Sequence, residues 1–150
     1  PSTMRPASSC TSAASRTAYY SDTLEKVIRR LSLGADGWPE GESAIAVDLR
    51  DTPHVADEAI CDAEGNIWTA QWGSSRVGVY SPAGDFLRAV GFPARQTSCP
   101  AFGGADLTTL FCTSAAIGIE ESEIAADPGH GRTFRVEGAG RGVAEHRVEF

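Results

Sequence analysis

No stretch of this sequence is both apolar and long enough to cross a bilayer, which takes roughly 20 consecutive apolar residues. Basic residues are in short supply: 13 Lys and Arg face 20 Asp and Glu, for a net charge of −7. Binding to nucleic-acid phosphates needs a basic face, so no nucleic-acid partner and no membrane partner are expected. A charged segment running into an apolar one is missing at the N-terminus, so no secretory leader is readable. No Cys-x-x-Cys pair occurs, and the four cysteines (Cys10, Cys61, Cys99, Cys112) are scattered. That excludes the local spacing of zinc ribbons and thioredoxin-like redox motifs. Cys61 and Cys112 lie in apolar, strand-like segments and read as small buried hydrophobes in a reducing, cytoplasmic setting.

Helical periodicity is also scarce. The only helical candidate is 118–126 (GIEESEIAA), where Ser122 and the acidic residues suit a first turn. The sequence is otherwise short β-type runs punctuated by turn signals such as GADG, AEGN and PAGD. Residues 1–16 carry almost no large apolar side chain and read as a poorly ordered or loop-like segment. Strands are predicted at 17–21, 26–33, 44–49, 58–62, 66–72, 76–81, 86–90, 107–114, 133–137 and 145–150. The fold class is all-β.

Internal repetition narrows it. RTAYYSDT at 16–23 resembles GNIWTAQW at 65–72 and TTLFCTSA at 108–115. These place Tyr20, Trp68 and Cys112 in equivalent positions, 48 and 44 residues apart. KVIRRLSLGADG at 26–37 likewise parallels SRVGVYSPAGDF at 75–86. A period in the mid-forties with about four strands per unit is that of a β-propeller blade. A β-sandwich also gives evenly spaced strands, but it does not predict a repeated motif.

Propellers close with typically 4–8 blades, and 150 residues at this period make about three. An unclosed arc leaves the flanks of its terminal blades bare. Either further blades belong on the N-terminal side, the preferred reading, or the arc self-associates through its exposed blade edges.

Ordered fragments then point to a family. YYSDT at 19–23, DAEGNIWTAQWGSSRV at 62–77, YSPAGDFL at 80–87, TSCPAFGG at 97–104 and LFCTSA at 110–115 resemble the C-terminal half of the senescence marker protein/gluconolactonase/luciferin-regenerating-enzyme family. The closing run TFRVEGAGRGVAEHRVEF at 133–150 is similar to that family's last strands. The resemblance, which extends to regucalcin, implies that residues 17–150 are half of a six-bladed propeller. It also implies a divalent metal (calcium, zinc, magnesium or manganese) at one mouth of the channel, and hydrolysis of sugar lactones. The family's metal-binding Asp sits in a Pro-Asp-Gly turn that falls here on Ala56-Asp57-Glu58, which makes Asp57 both metal ligand and catalytic base. The family's Asn ligand falls on Ala7, which has no ligand atom, and its Glu ligand matches nothing in this chain.

That chemistry is physically coherent. A bound cation polarises the lactone carbonyl and lowers the pKa of a bound water, and a nearby carboxylate can take the water's proton. Oxygen donors suit any of the four metals. Blander readings stand beside each residue. Asp57 alone would be a solvated turn residue, and His54, three residues earlier, a solvated loop histidine. Asp22 is expected to accept backbone amides in its turn. Trp68 and Trp72 are expected to pack between blades, Phe102-Gly103-Gly104 to form a tight turn, and Glu120, Glu121 and Glu123 to form a solvated face. The alternative to a lactonase fragment is a non-catalytic, degenerate arc serving as a binding scaffold.

Overall fold

The computed structural model describes residues 9–12, 16–126 and 129–144. Four strands, β1 (Ser9–Ser12), β2 (Thr17–Asp22), β3 (Val27–Leu33) and β4 (Pro39–Asp48), form a first antiparallel meander. A second consists of β5 (Ala56–Cys61), β6 (Ile67–Gln71), β7 (Arg76–Tyr80) and β8 (Phe86–Gly91). The third pairs β9 (Thr97–Gly103), β10 (Thr109–Ser114) and β11 (Thr133–Val136). A short helix, α1 (Glu121–Ala126), lies in the connection from β10 to β11.

The sheets stack face to face. The leading strand of the second, β5, lies against β1 and β2 on one side and against β9 on the other. Each meander therefore begins at the centre and works outward, which is the order of strands in a propeller blade. Two cores fill the gaps. Between the first and second blades, Tyr19, Ile28, Val47 and Leu49 meet Ala59, Ile67 and Tyr80. Between the second and third, Trp68, Val77 and Val79 meet Leu110 and Cys112. Each large side chain buried this way contributes about 1.5–3 kcal/mol.

The second strands β2, β6 and β10 bear out the repeat, but its register needs a correction. Tyr19, not Tyr20, faces the next blade, as Trp68 does. Leu110 and Cys112 face back toward the second blade, leaving Phe111 as the counterpart of Tyr19 and Trp68. Tyr20 turns to the opposite face, where its hydroxyl donates to Ser43 Oγ at 3.0 Å. A slip of one residue reverses every side chain in a strand, and two adjacent aromatics at 19–20 hide the parity.

Two strands escaped prediction. β1 lies inside the segment expected to be loop-like, and β9 falls where only a turn at 102–104 was expected. Both are leading strands, where crowding near the axis favours small residues, so neither carries a bulky alternation. β9 also contains Pro100, a residue that argues against a central strand. Among the described residues β9 has a ladder partner only on its β10 side, so the missing Pro100 N–H costs little. Gly103 still belongs to the strand, and the turn begins at Gly104 (φ 86°).

Smaller differences have local causes. β4 starts at Pro39 rather than residue 44, and β10 at Thr109 rather than 107, where Leu107 has a positive φ of 58°. The helix starts at Glu121 because Gly118 is left-handed, with φ 69°. The strand expected at 145–150 lies outside the described residues.

Candidate active site

The leading strand of the middle blade is irregular where chemistry is expected. Ala56 pairs with Gln71 and Ala59 with Thr69, so three steps on β5 span two on β6. The extra residue makes a bulge that contains Asp57 and Glu58. Bulges re-aim side chains and are over-represented beside active sites. Here the bulge presents two consecutive carboxylates, both half-buried, to the third blade. Asp57 accepts a hydrogen bond from Ser98, and Glu58 accepts one from the Cys99 thiol. Both partners belong to β9.

The electrostatics of this cluster follow from burial. Desolvation, with the neighbouring Glu58 charge second, pushes the Asp57 carboxyl above its ordinary range, and the Ser98 hydrogen bond partly offsets the rise. Burial, followed by the Glu58 hydrogen bond and charge, pushes the Cys99 thiol up to about 12. Cys112 is raised to about 11, again chiefly by burial. Both are protonated thiols at neutral pH, so neither is a thiolate nucleophile or a ready metal ligand. The reading of Cys112 as a buried hydrophobe fits its place in the core, while Cys61 is only partly buried against the first core.

The other residues singled out from the sequence have structural partners. His54 Nδ1 lies 3.0 Å from Ser74 Oγ, half-buried rather than solvated, and burial beside Arg76 and Lys26 lowers its pKa. Asp22 Oδ1 accepts the Glu25 amide at 3.0 Å, as its turn role requires. Trp68 packs edge-on against Phe102 between blades, with centroids 5.0 Å apart. Trp72, half-buried in the β6–β7 turn, donates its amide to Val55 O at 3.0 Å. Glu120 and Glu121 are exposed, whereas Glu123 pairs with Arg95 at 3.3 Å.

Sequence reasoning passed over three neighbours of Asp57: Glu58, Ser98 and Cys99. A signal existed for the first. Two charged residues in succession at the head of a strand break the period-2 alternation, which marks a bulge. Ser98 and Cys99 came into view only with β9 recognised as a strand. Asp62, expected only as the last residue of the strand at 58–62, was also passed over. It is 5% exposed and accepts the Trp68 indole N–H at 2.8 Å, the Asn66 side chain at 2.9 Å and the Glu64 and Asn66 amides.

Asp57 offers the oxygen donor that a hard divalent cation prefers. Among the described residues, however, no three His, Cys, Asp or Glu side chains converge as a metal site. Ala7, at the expected Asn position, lies outside the described residues. The donors among the described residues do not make a complete metal site.

Three stacked antiparallel meanders, two of four strands and one of three among the described residues, form an arc of a propeller. Residues 3–116 match the model of the SMP-30/gluconolactonase/LRE-like region, and the chain belongs to that family. It is 40% identical over 132 residues to a protein of Rhizobium meliloti (strain 1021) assigned as a sugar lactone lactonase, spanning 87% of this chain and 45% of that one. It is 35% identical over 128 residues to the 6-deoxy-6-sulfogluconolactonase of Pseudomonas putida, covering 85% and 44% of the two chains. The crystal structure of a calcium-binding regucalcin from Agrobacterium tumefaciens superimposes with a TM-score of 0.86 at 36% identity, over 95% of this chain and 50% of that one. The chain thus spans about half the length of these relatives, and its fold is about three blades of their six-bladed propeller.

Proposed function

We propose that this chain carries the Asp57-bearing half of a sugar-lactone hydrolase, acting on aldonolactones. The observation that supports the reading most is Asp57 itself. It is a half-buried carboxylate on a bulge of the middle blade's leading strand, where the family resemblance implies a metal-binding Asp.

Burial raises the proton affinity of Asp57, which makes it a better base than an exposed carboxylate would be. Asp57 takes the proton of a water as that water attacks the lactone carbonyl carbon. The ring C–O bond then breaks, its oxygen takes the proton back from Asp57, and the aldonic acid that leaves ionises to an aldonate. Ser98 holds the Asp57 carboxylate toward the third blade through this exchange. A divalent cation, when bound, would polarise the lactone carbonyl, and Asp57 would be the donor contributed by the described residues. The remaining donors must come from elsewhere, since these residues bring no complete set together.

The test is a chimera in which this chain replaces the matching half of the Rhizobium meliloti relative and carries Ala7→Asn. Gluconolactone hydrolysis is followed by pH-stat. We expect activity that falls about 100-fold or more in Asp57→Asn, the usual scale for removing a general base. Full activity in the Asp57→Asn chimera would contradict the reading.

A further inference from the structure

A groove between the first and second blades has both walls within this chain. It is an open cavity of about 390 Å³, lined among others by Asp48, His54, Arg76, Tyr80 and Phe86, and Asp57 is not among its walls. A hexose-sized ligand fits a space of that order.

Its charge is unusual for a chain with a net charge of −7. Arg76 is half-buried and makes no ion pair among the described residues; its Nε donates to Gln71 Oε1. Lys26, whose Nζ donates to Thr52 O beside the groove, is likewise without a carboxylate partner among the described residues. His54 feels both cations. Its Nδ1 is engaged by Ser74, and Nε2 has no hydrogen-bond partner among the described residues. The one carboxylate on the rim, Asp48, is already held by Arg50 through the backbone amide and the guanidinium. Arg76 is therefore a cation in the groove wall with no carboxylate partner among the described residues.

The wall that carries Arg76 is also aromatic. Phe86 is 53% exposed, stands edge-on to buried Tyr80 at 5.5 Å, and lies under Arg76 at 5.4 Å. An exposed ring beside a guanidinium suits a ligand with an apolar C–H face and a carboxylate. The wall is also rigid. The β7–β8 turn is tied by Ser81 Oγ, which accepts the Ala83 and Asp85 amides. Gly84 in that turn packs so closely on β4 that a Cβ there would lie 2.0 Å from Ala46 O.

We propose that this groove binds a small sugar acid, an aldonate, with its carboxylate on Arg76, a hydroxyl on His54 Nε2 and its C–H face on Phe86. The choice of a sugar acid among small carboxylates rests on the lactonase reading, whose product it is. The groove would hold product away from the channel.

The experiment is an NMR or calorimetric titration of the chain with gluconate, glucitol and acetate. Gluconate binds in the millimolar range, glucitol and acetate at least tenfold more weakly. Arg76→Gln loses at least tenfold in gluconate affinity, and Phe86→Ala, at an exposed position, loses several-fold. Asp57→Asn leaves gluconate binding unchanged, which separates this site from the proposed active site. Equal binding of glucitol or acetate would overturn the proposal. So would gluconate binding that survives both Arg76→Gln and Phe86→Ala, or that disappears in Asp57→Asn alone.

Discussion

Asp57 illustrates how a functional carboxylate can work against the stability of the fold that holds it. Its pKa is raised in the folded chain, so the folded state prefers the protonated form. The associated stability is fully present below the unfolded carboxylate value of about 3.9 and is lost as pH rises through the folded value. At neutral pH the ionised group is therefore a net cost. Asp57→Asn should raise the melting temperature at pH 7 by up to about 2–4 °C, and the gain should shrink to nothing below about pH 4. A full pKa unit would be about 1.4 kcal/mol, and the half-exposed position reduces that. Thermal melts of both proteins from pH 3.5 to 8 check it, and a destabilised variant at pH 7 would count against the assignment. Asp62 is the opposite case. Its carboxylate satisfies an indole and two backbone amides in a buried turn, so Asp62→Ala should cost about 2–3 kcal/mol in a urea melt. The sequence marked Asp57 through its family motif alone. Nothing in the sequence singled out Asp62 at the end of its predicted strand, because the Trp68 indole that donates to it comes from the next strand.

At the level of elements, strands rich in bulky residues were legible and strands poor in them were not. β3, β6 and β7 are rich in Val, Ile, Trp and Tyr, and their predicted and observed ranges agree closely. β1 and β9 draw their place from the geometry of the ring, which crowds leading strands with small residues and tolerates Pro100. The bulge in β5 had one sequence mark, its two successive carboxylates, and its register against β6 came only with the structure. Glycines make the tolerance of each turn testable. Gly84 has φ 97° and a Cβ built on it would meet the Ala46 carbonyl, whereas Gly91 at the end of β8 has nothing within 4 Å. Gly84→Ala should destabilise by about 2 kcal/mol or more, and Gly91→Ala should be neutral or slightly stabilising. Equal effects in a chemical denaturation series would refute the close β4 contact.

On the scale of the whole molecule, the middle blade is the only one of the three described sheets with a core on each face. Its β6 contributes Ile67 to one core and Trp68 to the other. Amide hydrogen exchange should thus be slowest in β6 and β7 and faster in the first and third sheets. Faster exchange in β6 than in β2 or β10 would contradict the stacking. The repeat period made the propeller readable, because each blade restates the same pattern. A metal site was not readable in the same way, since the described residues bring no three His, Cys, Asp or Glu side chains together. The central claim is that Asp57 is one donor of a site completed by residues beyond those described here. Calorimetric titration of the purified chain with calcium, zinc and manganese tests it most directly. The account predicts no site tighter than roughly millimolar, the weak end of oxygen-ligand sites; micromolar binding that vanishes in Asp57→Ala would contradict it.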